Sequence, residues 1–234
     1  MAIPSYLPQQ ANIRAYYSLE DVNDGSANGY NLTNFNSVTF TSAKFRNGAN
    51  LGSSNSNKYL RVNNTLGIDG GVCTISTWVK NLAEISSGGW CFAVCGGGTT
   101  HVFYVIGYEY NSGTRRVAFS RYKDGGANQA AYYNTTMGTS NFYNLVLTYD
   151  NTNIRGYING SLVAGPTAAS GNGSGSASYS GIGYFYSTYT YSYASSLIDE
   201  TVFWDKCLSI EEIVQVYKGP IIKGGIAIGS PMIF

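Results

Sequence analysis

The chain has 234 residues, 44% of them hydrophobic and 12% charged, with a formal net charge of +1. Length and apolar content suffice for one large core and exclude global disorder, while the charged share is about half the usual ~25%. Basic residues gather only at Arg115-Arg116 and Arg121-Tyr122-Lys123, which excludes the cationic stripe that a nucleic-acid binder needs.

The N-terminus, MAIPSYLPQQANIRAYY, lacks a basic stretch followed by an apolar one, so no cleavable signal peptide is expected. No apolar run approaches the ~18 residues of a membrane span. From there the pattern is almost entirely β. VCTISTWVK (Val72–Lys80), GWCFAVC (Gly89–Cys95), HVFYVIGYEY (His101–Tyr110), RRVAFSRY (Arg115–Tyr122), FYNLVLTYD (Phe142–Asp150) and NIRGYING (Asn153–Gly160) are rich in β-branched and aromatic residues. Turn clusters such as Asn111-Ser112-Gly113 and Asp150-Asn151-Thr152-Asn153 separate them. Asn159-Gly160 marks a hairpin, because both residues tolerate positive φ. About a dozen short strands without an internal repeat predict an all-β, two-sheet antiparallel sandwich.

The cysteines at 73, 91, 95 and 207 lack zinc spacing. Cys91 and Cys95, four apart on a strand, are expected on one face and roughly 13 Å apart at ~3.3 Å per residue, too far to pair. Buried free thiols are the expectation, with a bridge from Cys73 or Cys207 as the alternative. His101 is the only histidine, and no nucleophile turn lies near it.

Near the C-terminus, SLIDETVFWDKCLSIEEI (Ser196–Ile213) concentrates acids. Ser209 with Glu212 forms a capping box, Leu208 with Ile213 a hydrophobic staple, and Gly219-Pro220 a stop, so one short helix is predicted here. Glu211 and Glu212 then sit at the positive end of that helix. Strand alternation points Asp199 and Glu200 to opposite faces, which denies them the role of a hydrolase pair.

In order, these landmarks resemble the laminin-G-like, concanavalin A-like jelly-roll domains related to pentraxins. The similarity runs from about Ile13 to Lys218. It rests on AYYSLEDVNDGSANGYNLT, AKFRNGANLGSSNSNKYLRV, CTISTWVK, FYNLVLTYDNTNIRGYINGSLV and SLIDETVFWDKCLSIEEIVQVY. The chain departs from the family pattern at Ala27 and around Tyr143-Asn144. It also lacks the E-x-D-x-E or E-x-D-x-x-E strand of the glucanase relatives, so the resemblance implies a member that is not an enzyme. It further implies a structural calcium, carried by Asp24 and Asp199 with Glu20 or Asn23 as helpers. The alternative is that Asp24 caps a turn and Asp199 bonds the backbone of that loop.

A second candidate site is GYFYSTYTYSYASS (Gly183–Ser196), where Tyr184, Tyr186, Tyr189, Tyr191 and Tyr193 alternate with small residues. Tyrosine offers a rigid ring and a hydroxyl at small entropic cost, which suits glycan binding; a packing ladder is the competing role. Three regions follow: an N-terminal extension (1–12), a jelly-roll domain (13–219) and an apolar tail (220–234). The tail is expected to fold back as an edge strand or to contact other copies or a particle protein. The functional expectation is a non-catalytic, surface-displayed module that binds glycans or another surface polymer, on a particle such as a phage virion. The alternative is a purely structural coat or appendage subunit.

Overall fold

The computed structural model describes residues 2–53, 56–68, 70–97, 102–122, 128–170, 179–183 and 191–219, without the side chains of 102, 191 and 192. His101, Tyr184, Tyr186, Tyr189 and the 220–234 tail lie outside the described residues. Sixteen strands, one α-helix and a short 3-10 turn (Gln10–Asn12) are described. The strands are β1 (Ile13–Tyr17), β2 (Thr33–Phe35), β3 (Thr39–Ser42), β4 (Asn47–Asn50), β5 (Tyr59–Val62), β6 (Cys73–Asn81), β7 (Gly88–Gly97) and β8 (Val102–Asn111). They continue with β9 (Thr114–Tyr122), β10 (Asn128–Asn134), β11 (Tyr143–Tyr149), β12 (Asn153–Ile158), β13 (Ser161–Ala168), β14 (Tyr179–Ile182), β15 (Tyr191–Ser192) and β16 (Ser196–Trp204); α1 is Ile210–Lys218.

The strands form the two-sheet jelly roll that the pattern predicts. Sheet A runs β13-β12-β11-β6-β16-β4-β3 with β1 also on β16; sheet B runs β10-β9-β8-β7-β14-β5-β2 with β15 also on β7. Every pairing is antiparallel except β15 with β7. Alternation builds the core between the sheets. Along β6, Cys73, Ile75 and Val79 join the main cluster with Leu60, Phe92, Phe119, Leu147 and Phe203, while Thr74, Ser76 and Trp78 turn to the other face. Asn159 and Gly160 make the expected hairpin turn, with φ of 51° and 79°.

One expectation about the cysteines changes. A bulge between Cys91 and Ala93 adds a residue to β7, so Cys95 joins the inter-sheet core and Cys91 the outer face of sheet B. They lie on opposite faces, because one extra residue inverts the alternation downstream. All four cysteines are free thiols, and Cys73, Cys91 and Cys95 are buried.

The outer face of sheet A is roofed. Ser209 Oγ accepts from Glu212 N and Ser209 N donates to Glu212 Oε2, which completes the capping box. Helix α1 lays Ile213 and Val216 on Tyr16, Val146, Tyr157, Val202, Trp204 and Leu208. The segment before β1 packs there too: Leu7 is buried and Ile3 and Tyr6 rest on the same cluster. Trp204 Nε1 donates to Pro8 O at 3.0 Å, and Gln215 Nε2 to Tyr6 O at 2.6 Å.

Candidate functional site

The acids of the resemblance occupy two places. Asp24 organises the loop after β1. Its Oδ1 accepts from Tyr16 N (3.0 Å) and Ser26 N (2.8 Å), its Oδ2 from Ser26 Oγ (2.6 Å) and Tyr30 N (3.0 Å). A carboxylate offers about four acceptor positions, so none remains for a cation. Calcium takes about six to eight oxygens, and among the described residues no three His, Cys, Asp or Glu side chains group as a metal needs. Asp24 thus braces the turn, and the set Asp24, Asp199 and Glu20 does not fit a calcium. We expect the melting temperature to be the same in chelator and in millimolar Ca2+, and Asp24→Ala to cost at least about 3 kcal/mol. A melt lowered by chelator alone would contradict the brace.

Asp199 and Glu200 sit differently from expectation. Asp199 pairs with Trp78 and Val202 with Ser76, so two residues of β16 oppose Thr77 alone. Glu200 takes φ of 47° at this bulge. Thr201 then meets Thr77 inside the sandwich (Oγ1 to Oγ1, 2.9 Å). Glu200 instead accepts from Tyr6 Oη (3.1 Å) and Tyr16 Oη (3.0 Å) on the outer face of sheet A. Asp199 Oδ2 accepts from Phe45 N at 3.0 Å on that face. The bulge therefore cancels the alternation that was to part the two acids. Burial first, then the Glu200 and Glu20 charges, pushes the Asp199 carboxyl up to about 7, against the pull of the Phe45 N–H. Burial also raises Glu200, although the two tyrosine hydroxyls and Arg46 oppose it. Asp199 is 1% exposed, with the Phe45 N–H on its carboxylate. It is a buried brace with no open side toward a substrate.

The open aromatic surface is at the other sheet. Leu60 faces the core, so its neighbours Tyr59 and Arg61 face outward. Register puts Phe35 directly opposite Tyr59, and Thr33 opposite Arg61. The Phe35 and Tyr59 rings stack at 4.5 Å with 5° between planes. Tyr193, arriving from just after β15, sets its ring 6.0 Å from that of Tyr59. On the other flank Gly181 stands opposite Arg61; a Cβ there would lie 2.5 Å from Leu60 O, so the strand beside Arg61 stays bare. Tyr179 lies across Gly97, whose added Cβ would fall 2.4 Å from the ring. The Arg61 guanidinium is held 4.9 Å from Phe35, 5.3 Å from Tyr179 and 6.0 Å from Tyr59. Phe35, Tyr59, Arg61 and Tyr193 are half-buried. Farther in, this outer face is closed: Cys91, Val94, Val105, Ala118, Tyr122 and Tyr179 form a buried cluster.

The structure thus brings Tyr193 to an aromatic patch; Tyr191 is placed on β15 by its backbone alone, and Tyr184, Tyr186 and Tyr189 lie outside the described residues. Phe35, Tyr59 and Arg61 were not anticipated. The available signal was local: YLRV alternates, which puts Tyr59 and Arg61 on one face and Leu60 on the other.

The comparisons accord with this architecture. No curated protein matches the chain in sequence. Domain 4 of AbnA, a GH43 extracellular arabinanase from Geobacillus stearothermophilus solved in complex with arabinotriose, superposes with a TM-score of 0.60 at 15% identity, over 88% of this chain and 98% of that one. The binding domain of botulinum neurotoxin DC, in complex with SialylT, gives 0.69 at 14% identity over 89% of this chain and 52% of that one. The binding domain of Paraclostridial Mosquitocidal Protein 1 gives 0.67 at 13% over 89% and 52%. The chain spans about half the length of these two binding domains. At such identities the likeness is one of fold. The model of the family Laminin_G_3, described as the concanavalin A-like lectin/glucanases superfamily, matches residues 53–214, and the chain belongs to that family.

Proposed function

We propose that the protein is a non-catalytic recognition module that binds glycans at the β2–β5 edge of sheet B. The observation that carries this reading is the stacked Phe35–Tyr59 pair with Tyr193 beside it: rigid rings, half-exposed, on a three-residue edge strand and its neighbour. Sugar rings place their apolar C–H faces on such aromatics, and nearby polar groups take the hydroxyls. Thr33 is exposed on the same strand. The ligands named for the superposed AbnA and neurotoxin domains, arabinotriose and SialylT, accord with glycan binding in this fold.

The absence of catalysis rests on the acids. The sequence carries no E-x-D-x-E strand, and the adjacent acids on β16, Asp199 and Glu200, are engaged by Phe45 N and two tyrosine hydroxyls. Glycoside hydrolysis needs two carboxyls flanking an accessible bond. Display on a particle such as a virion is supported by the composition, with 12% charged residues, 29 glycines and 21 tyrosines.

A glycan array tests the reading. The full chain is expected to retain a subset of glycans, and the Phe35→Ala/Tyr59→Ala variant to lose them by at least about tenfold at a nearly unchanged melting temperature. An array with no retained glycan, or equal retention by both proteins, would overturn it.

A further inference from the structure

Arg61 stands apart from the other arginines with described partners. Arg14 pairs with Asp205, Arg115 with Glu84, Arg116 with Glu109 and Arg155 with Asp150, and Arg121 donates to Gln129 and to Gly70 O. Among the described residues, the recorded contacts of the Arg61 guanidinium are with aromatic rings. Its Nε is buried and has no hydrogen-bond partner, and among the described residues no carboxylate, carbonyl or hydroxyl accepts from its guanidinium. The residue as a whole is only half-buried, so the head reaches the surface of the aromatic patch.

A guanidinium carries five N–H donors in a planar fork and cannot lose its charge. Rings on both flanking strands confine that group, Phe35 on β2 and Tyr179 on β14 lying 4.9 and 5.3 Å from its central carbon. Confinement between rings removes part of the side-chain entropy that an arginine otherwise loses on binding. Stacking satisfies the ring faces of the cation but none of its in-plane donors. The group that completes it is a planar or tetrahedral oxyanion, which accepts two parallel N–H bonds from the fork. Gly181, opposite Arg61 on β14, places no side chain beside it.

We propose that Arg61 makes this site selective for acidic glycans: a carboxylate or sulfate on the sugar seats on the Arg61 fork while a neighbouring ring lies on Phe35 and Tyr59. The proposal rests on the glycan-binding reading above and names its ligand class. A solvated, merely structural arginine would make no such distinction.

The test compares the full chain with Arg61→Gln and Arg61→Lys on three immobilised polymers: polygalacturonate, a heparin-type sulfated glycan, and neutral galactan. The wild type is expected to prefer at least one acidic polymer over galactan by about tenfold or more, with the choice between carboxylate and sulfate read from which acidic arm wins. Arg61→Lys keeps the charge over the rings but lacks the fork, and is expected to lose most of the preference while folding normally. Arg61→Gln is expected to bind the acidic and neutral polymers alike. If galactan is retained as well as the acidic polymers, or if Arg61→Lys keeps the full preference, the Arg61 assignment is wrong while glycan binding stands. If no polymer is retained, the same samples are titrated with free glucuronate, sulfate and glucose and the Arg61 Nε–H resonance is followed by NMR. A shift with either anion and none with glucose supports the anion seat even though the glycan reading fails. No shift with any of the three overturns both.

Discussion

Raising the pH from 5 to 8 is expected to lower the melting temperature of the protein by roughly 5–10 °C, and Asp199→Asn to remove most of that loss. The reason is the bulge at Glu200, which leaves Asp199 in a site 1% exposed beside two other acids. In the unfolded chain its carboxyl titrates near 3.8, in the folded chain near about 7. Below 3.8 both forms hold the proton, and this group adds no pH dependence. Between 3.8 and about 7 the unfolded chain ionises while the native one stays protonated, so stability falls by up to ~1.4 kcal/mol per pH unit. Above about 7 both are ionised and the loss levels off. Between pH 5 and pH 8 the total is on the order of 3 kcal/mol. Glu200, raised by the same burial, adds in the same direction and leaves a residual slope in the variant. Asp150 has the opposite sign: the Arg155 guanidinium and the turn N–H groups hold its carboxyl well below the usual range, so its contribution is lost only as the pH falls below 3.8, outside this window. Melting curves at pH 5, 6, 7 and 8 check the effect. A bound cation at these acids would hold them ionised and reverse the slope, so stability that rises with pH would contradict the account.

Trp204→Ala is expected to cost about 3–5 kcal/mol and to leave the chain close to its threshold of folding. Trp204 is fully buried on the outer face of sheet A, where it is the largest member of the cluster that joins α1, β16 and the N-terminal segment. Its loss removes the common floor beneath Leu7, Leu208, Ile213 and Val216. It also strands Pro8 O, which accepts from the indole N–H at 3.0 Å. Trp204→Phe separates the two effects: the volume is largely kept, and the unmet carbonyl costs about 1–2 kcal/mol. Urea unfolding of the two variants measures both. A wild-type midpoint for Trp204→Ala would mean that α1 and the first dozen residues contribute nothing to the domain.

Local signals gave reliable local structure. Ser209, Glu212, Leu208 and Ile213 place the helix start because capping is decided within one turn, and Asn159-Gly160 places the hairpin because two φ angles decide it. The bulges at Phe92 and Glu200 were not legible. Each adds one residue to a strand whose side chains read as an ordinary alternating or apolar run, and only the partner strand shows that the count is off. The aromatic edge was illegible for another reason. Phe35, Tyr59, Arg61, Tyr179 and Tyr193 come from β2, β5, β14 and the segment after β15, which only the strand order brings together. A run such as YSTYTYSY is visible in the sequence because it repeats; a patch gathered from distant strands leaves no such trace. Asp24 shows a third limit. A loop aspartate suits a cation and a set of N–H donors equally well, and only geometry shows that four donors already surround it.

The most direct test is to map the binding face by amide chemical shifts, titrating the labelled full chain with the best ligand from the glycan array. The account predicts that the perturbed amides cluster at Thr33, Phe35, Tyr59, Arg61, Gly181 and Tyr193, on the β2–β5 edge of sheet B. Perturbations gathered instead around Glu20, Phe45 and Asp199 on sheet A, with this edge silent, would contradict it.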